Sequence, residues 1–457
     1  MSYLTKSNQL FQSLEIDFEI VSLNQLDNYT AIEYFLTLED EPPENANNLQ
    51  KINRYLQVFH HLCEVAEWQK AGQVLSFCYS SKELHEQLRI WGYYREQIEL
   101  YQQLLGKLND EQDIICLYGL GRAFYNLSDY NQSLIYYQEL INLARLINNR
   151  QAEAFALDGL GNIQYINYNF DGAIAYFQKQ LDIANEIEDK EQQGYALQNL
   201  GYAFYFSGLN QGKYHDQQTG LHYLEDALVI ADQLDNQELE SLSIDHITII
   251  YFNRGQYNKS LTYLFRQLAI CQKNNDKRRH AAILENIGKC YVILKQSDQA
   301  LKYSQAALIA TREIGNKCEE ANILNDLGVI YCYQLKRYQE ALFYFEQALN
   351  ILQKLNIEGH QSVCAVNISV CYSYLKNQEK SVFYLNIAKS LMTELESVET
   401  KGILIMSIAN SYWLRDKIWY KAWGILLAIK ALIIIPPWRS ANGRLAMESA
   451  IKQIFGR

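Results

Sequence analysis

Along this chain a small residue returns about every forty positions, and an aromatic stands three residues after it in almost every copy. The small column reads Gly121, Gly161, Gly201, Thr248, Gly288, Gly328, Ser369 and Ala409. The column that follows reads Phe124, Gln164, Phe204, Tyr251, Tyr291, Tyr331, Tyr372 and Tyr412. The register needs two adjustments, a seven-residue insertion after position 201 and a one-residue insertion near Tyr338. Twelve residues after the small position, allowing for those insertions, comes a second small column: Ser133, Ala173, Gly220, Ser260, Ala300, Ala341, Ser381 and Ala422. Four residues later a mostly large apolar column follows, Tyr137, Phe177, Leu224, Leu264, Phe345, Leu385 and Leu426, broken by Ser304. A fixed period of this length marks a repeat architecture, and the repeat must be recognised before any single motif is weighed.

Each copy reads as a helix hairpin. A small residue lets two helix axes approach, and a large residue three or four positions on shares its face and fills the space beside it. Residues 44–435 contain no proline, so nothing of that kind interrupts the helices. Turn chemistry separates the hairpins at "LINNR" (146–150), "QLDNQ" (233–237) and "EIGNK" (313–317). One hairpin cannot bury its own faces, so the expected fold is all-α, an α-solenoid of stacked antiparallel helix hairpins forming a right-handed superhelix.

The stretch "DLGVIYCYQLKRYQEALFYFEQAL", residues 326–349, resembles the tetratricopeptide repeat family, with Leu327-Gly328, Tyr331, Tyr338, Ala341, Phe345 and Ala348 at its pattern positions. The period resembles the forty-residue subclass found in signalling adaptors, over residues 111–435. The expected partition is a short helical segment and Pro-Pro joint at 1–43, divergent capping hairpins at 44–110, tandem repeats at 111–397, and a degenerate last repeat with basic, apolar capping helices at 398–457.

The resemblance implies a function. In that family the first helix of each hairpin lines a concave groove, and an asparagine two positions before the small residue bonds the backbone of a bound segment. Here that rung is Gly119, Gly159, Asn199, His246, Asn286, Asp326, Asn367 and Ser407, and three asparagines match. Arg122, Asn162 and Lys289, one position after the small residue, and Asn126 and Asn253, five after, extend the polar set. One amide bond contributes about 0.5–1.5 kcal/mol net, so affinity needs several rungs together. The other reading of these side chains is that they bond neighbouring helices or water. The expected partner is a protein or peptide segment, and the expected role is a non-catalytic adaptor. A ligand- or peptide-responsive regulator of a signalling enzyme is the alternative.

Charge and composition narrow the rest. A net charge of −11 disfavours nucleic acid as a partner. Nine cysteines without a Cys-x-x-Cys pair give neither a disulfide framework nor a zinc knuckle, and the acidic residues in the N-terminal stretch do not suit a signal peptide, so a cytoplasmic setting is expected. No cofactor, metal or catalytic constellation is expected: His60, His61 and Glu64 lack metalloprotease spacing, and His215, Asp216 and His222 lack a fixed frame. "GLNQGKY" is one residue short of a phosphate-binding loop and reads as a loop elaboration of a hairpin turn, with Lys213, Tyr214 and His215 available for a side contact. The apolar run 418–435 contains Lys430 and falls short of a membrane span. Eight basic residues against Asp416 and Glu448 leave residues 415–457 suited at most to a peripheral contact with an anionic membrane or an acidic protein.

Overall fold

The computed structural model describes residues 3–392 apart from 20, 39–41, 44, 79–81 and 275, together with Ile405 and Ile408. The basic, apolar segment 398–457, with its proposed membrane or protein contact, therefore lies outside the described residues except at those two isoleucines. The described residues are almost entirely helical, with one isolated bridge between Cys78 and Glu83. The chain divides into two compact units, Met1–Ala203 and Phe204–Arg457.

The first unit holds α1 (Tyr3–Ser13), α2 (Leu26–Thr37), α3 (Asn48–Glu64), α4 (Trp68–Leu75), α5 (Leu84–Ile90), α6 (Tyr94–Leu104), α7 (Asp110–Asn126), α8 (Tyr130–Leu146), α9 (Arg150–Ile166) and α10 (Phe170–Glu186). The division falls within α11 (Lys190–Gln211). The second unit continues with α12 (Tyr214–Leu234), α13 (Gln237–Asn253), α14 (Tyr257–Asn274), α15 (Lys277–Ile293), α16 (Ser297–Ile314), α17 (Lys317–Val329), α18 (Tyr338–Lys354), α19 (Glu358–Tyr374) and α20 (Gln378–Met392). In each unit most helices consecutive in sequence pack against one another, as in an α-solenoid.

The helices begin where side chains cap them. Asn109, Asn149, Asp189, Asn236, Asp276 and Asn316 each accept a hydrogen bond from the backbone N–H three residues on, at the start of the first helix of successive hairpins. Each such cap contributes about 1 kcal/mol. A left-handed residue precedes several of them, Asn148, Glu188, Asp235 and Gly315, and reverses the chain out of the preceding helix. The turn chemistry in "LINNR", "QLDNQ" and "EIGNK" is thus one stop residue followed by one cap.

The two small columns face each other. Ser133 Oγ donates to the Gly121 carbonyl at 2.8 Å and Ser260 Oγ to the Thr248 carbonyl at 3.2 Å, while Ser369 Oγ donates to the Ser381 carbonyl at 2.8 Å. A ring in the large column explains three of the glycines. A Cβ on Gly121 would stand 2.8 Å from the Tyr137 ring, on Gly161 2.4 Å from Phe177, and on Gly328 2.5 Å from Phe345. Where the large residue is Leu264 or Leu385, the small one is Thr248 or Ser369. At Ser304, which breaks the large column, the neighbour is again glycine: a Cβ on Gly288 would meet its hydroxyl at 2.7 Å.

The aromatic column has a partner column that the sequence reading passed over. Tyr136, Tyr176, Tyr223, Tyr263, Tyr303, Tyr344 and Tyr384 stand one residue before the large position in seven successive second helices. Five of them stack within 20° of parallel on the first-helix aromatic of their own hairpin: Phe124–Tyr136 at 5.4 Å between centroids, Tyr251–Tyr263 at 5.7 Å, Tyr291–Tyr303 at 5.6 Å, Tyr331–Tyr344 at 5.2 Å and Tyr372–Tyr384 at 5.8 Å. Phe204–Tyr223 is tilted, at 5.6 Å. Such pairs contribute about 0.5–1.5 kcal/mol beyond area burial.

Both insertions are absorbed into helix. The one-residue insertion near Tyr338 appears upstream as a π-helical turn at Ile330–Gln334, where Leu335 N–H reaches back to the Ile330 carbonyl at 3.1 Å. The seven-residue insertion corrects the reading of residues 208–220 as a widened loop. It lengthens α11 to 22 residues and α12 to 21, leaving only Gly212 and Lys213 between them. Gly212 takes φ +69° in that turn, and a Cβ on Gly208 would stand 2.7 Å from the Lys213 carbonyl oxygen, so glycine permits the tight reversal. Among the described residues no helix is long and apolar enough to cross a membrane.

Candidate partner-binding face

The rung residues fall on α7, α9, α11, α13, α15, α17 and α19, the first helices of the hairpins. In unit 1 the first two rungs are glycine because an aromatic of the preceding helix occupies their place. A Cβ on Gly119 would lie 2.1 Å from the Tyr101 ring, and one on Gly159 2.3 Å from the Tyr137 ring. Beside them Arg122 lies 3.7 Å from Glu86 and 5.1 Å over the Tyr118 ring.

Asn199 donates to Asp158 Oδ1 at 2.6 Å, and Asn162 Nδ2 donates to the Asp158 carbonyl at 3.0 Å. Burial pushes the Asp158 carboxyl up to about 6, against the opposing pull of Arg122 and of the Asn199 and Asn162 hydrogen bonds. Asn126 is exposed and donates to the carbonyl of Arg122 in its own helix at 2.9 Å. The structure thus joins Asn199 and Asn162 around Asp158, with Arg122 close by, and leaves Asn126 apart.

In unit 2 the polar face is broader. Asn286 is exposed and lines a cavity of about 630 Å³ with Glu238, Asp245, Gln267, Arg278 and Arg279. Arg279 Nη2 lies 3.4 Å from Asp245, which also accepts from Gln267. His246 is half-buried, and burial drives its imidazole down to about 4, so it is neutral at physiological pH. Asn253, at the C-terminal end of α13, is half-buried.

Lys289 pairs with Glu285 along α15. Burial works against the Lys289 charge, but Asp326, Glu285 and Glu319 outweigh it and raise its pKa. Burial pushes the Asp326 carboxyl up to about 6, with Lys289 pulling the other way. Asp326 Oδ2 is buried and has no hydrogen-bond partner. Asn367 is buried and donates to Asn325 Oδ1 at 2.9 Å, and Cys364 Sγ approaches the same oxygen at 3.5 Å.

The sequence reading missed a second polar register one residue before the rung. Asp158, Asp245, Glu285 and Asn325 all stand three positions before the small residue, and they hold much of the hydrogen bonding just described. Five consecutive polar residues in that column, with Gln198 as the fifth, were the available signal. Among the described residues, no group of three or more His, Cys, Asp or Glu side chains is placed to hold a metal ion.

Residues 279–354 and 319–393, which span the hairpins from α15 to α20, match the tetratricopeptide repeat model. Residues 279–393 therefore carry tetratricopeptide repeats. The chain is similar to outer dynein arm-docking complex subunit 4 of Danio rerio, at 24% identity over 156 residues; the match covers 34% of this chain and 31% of that relative, so it spans about a third of the relative's length. Among solved structures it is similar to the apo form of RapI, with a TM-score of 0.55 at 14% identity over 89% of this chain and 99% of that one. It is also similar to a signal transduction ATPase with numerous domains carrying a tetratricopeptide repeat sensor, from Pyrococcus horikoshii, with a TM-score of 0.55 at 14% identity over 98% of this chain and 74% of that one. At such identities the likeness is one of fold.

Proposed function

We propose that this protein is a non-catalytic adaptor that holds a segment of another protein against the rung face of its first helices, in a cytoplasmic setting. The observation that carries the reading is the polar face of unit 2. There the exposed amide of Asn286 lines the cavity beside Asp245 and Arg279, and the buried Asp326 Oδ2 lacks a partner. A buried acceptor without a bond is costly, and an incoming backbone N–H or side-chain donor removes that cost. Asn286, His246, Asn253, Lys289, Asp326 and Asn367 are the proposed contacts there. In unit 1, Arg122, Asn126, Asn162 and Asn199 are the proposed contacts. The division into capping hairpins at 44–110 and tandem repeats at 111–397 belongs to the same proposal.

The relative from Danio rerio bears the name of a docking-complex subunit, which agrees with an assembly role. Affinity capture from the native cell tests the reading, with Asn199, Asn286 and Asn367 replaced together by alanine as the comparison. A partner captured by the wild type and lost by a still-helical variant supports the rung assignment. Equal capture by both would sink it.

A further inference from the structure

Two of the nine cysteines meet across neighbouring hairpins. Cys371 Sγ on α19 donates to Cys332 Sγ at 3.4 Å, and the two side chains are 0% and 1% exposed. Cys332 belongs to the π-helical turn Ile330–Gln334. At the same register in other hairpins Tyr125, Tyr165, Phe252 and Val292 are only half-buried, whereas Cys332 lies inside the core. Tyr205, four residues after Gly201, is the other buried residue of this register, and at position 332 the buried side chain faces Cys371. The rings of Tyr338 and Tyr374, stacked at 4.6 Å, flank both sulfurs.

We propose that Cys332 and Cys371 form a disulfide when the chain meets a small peroxide, fastening α19 to the hairpin before it. A disulfide bond is about 2.05 Å long, so each sulfur moves by roughly 0.7 Å, within reach of a small side-chain rotation. Cys332 accepts the S–H of Cys371 and keeps its own sulfur free of that proton, so Cys332 is assigned as the attacking sulfur. Its thiolate attacks one oxygen of hydrogen peroxide, the O–O bond breaks, and the departing hydroxide takes up the thiol proton as water. Cys332 is then a sulfenic acid. The Cys371 sulfur attacks Cys332 and gives up its proton, the S–O bond breaks, and a second water leaves. Two thiols are oxidised and one peroxide is reduced to two waters.

Burial sets the choice of oxidant. A peroxide can enter during local opening, whereas glutathione disulfide is too large to reach sulfurs this enclosed. The cross-link would join positions 39 residues apart. It would also tie α17, which carries Asp326, to α19, which carries Asn367, two helices already joined by the Asn325–Asn367 hydrogen bond.

The test treats the reduced full chain with hydrogen peroxide, blocks remaining thiols, digests without reductant and maps the peptides by mass spectrometry. The exposed Cys78 serves as an internal control for oxidant exposure. The expected result is a linked peptide pair containing Cys332 and Cys371 that separates on reduction. The oxidised wild type is also expected to melt higher than the reduced form, with no such rise in Cys332→Ser or in Cys371→Ser. Recovery of both cysteines as free thiols, or of Cys332 as a sulfinic acid, in samples where Cys78 is fully oxidised would overturn the proposal. So would an equal rise in melting temperature in both serine variants.

Discussion

Unit 1 buries Asp158 one residue before a rung and unit 2 buries Asp326 at a rung, and burial pushes both carboxyls up to about 6, yet the two groups are supported differently. Asp158 accepts the Asn199 amide at 2.6 Å and has the Arg122 charge near it. Asp326 has the Lys289 charge near it but keeps one oxygen without a hydrogen bond. The same repeat, with nearly the same burial, has therefore produced a polar network closed on itself and one with an open acceptor. Where a rung is already bonded inside the chain, a partner must displace that bond to gain its own. An open rung offers the whole bond.

Several measurements can break or sharpen that contrast. The largest effects test whether the two units share one packing frame. Tyr137 and Phe345 fill the same column, at 3% and 0% exposure. Tyr137→Ala and Phe345→Ala are each expected to destabilise by about 3–5 kcal/mol in denaturant melts. A loss below 1 kcal/mol in either would show that the column does not hold that unit together.

Next come the aspartates. A carboxyl whose folded pKa lies above its unfolded value leaves stability intact below the unfolded pKa, and stability falls as pH rises through the folded value. Asp326→Asn is therefore expected to stabilise the chain by about 2 kcal/mol at pH 7.5 and hardly at all at pH 4. Asp158→Asn is expected to gain less at pH 7.5, because Asn199 loses its charged acceptor, whereas Asp326 Oδ2 has no hydrogen bond to lose. His246 acts in the opposite sense: its lowered pKa gives stability that is present above about 6.5 and lost as pH falls toward 4. Each variant must be compared with wild type at the same pH, so that this common background cancels. Equal gains from both asparagine variants would erase the contrast between the units.

The smallest effects concern the amides. Asn199→Ala removes the bond to Asp158 and is expected to destabilise by about 1 kcal/mol, while exposed Asn286→Ala is expected to stay within about 0.5 kcal/mol of wild type. Matching shifts in a thermal melt would mean that Asn286 is as firmly engaged inside the chain as Asn199.

Periodicity made the hairpins legible, because one small residue facing one large ring dictates both identities: Gly121 with Tyr137, Gly161 with Phe177, Gly328 with Phe345. The tyrosine column from Tyr136 to Tyr384 was equally regular, but it becomes meaningful only when stacked on the first-helix aromatics. The insertions were legible in length and not in form, since a helix can absorb extra residues by lengthening, as at Gln211 and Tyr214, or by a π turn, as at Ile330–Gln334. The rung positions fall on the first helices of the hairpins. Their bonding was not readable, because the acceptors that engage Asn199 and Asn367 are Asp158 and Asn325, about forty residues away in sequence and one helix position off the register first chosen.

The proposed function requires a partner segment to lie against the first helices. Hydrogen exchange of the full chain, with and without a captured partner, addresses it most directly. Slowed exchange is expected in α13, α15, α17 and α19, with α14, α16 and α18 unchanged. Protection confined to α14, α16 and α18 would contradict it.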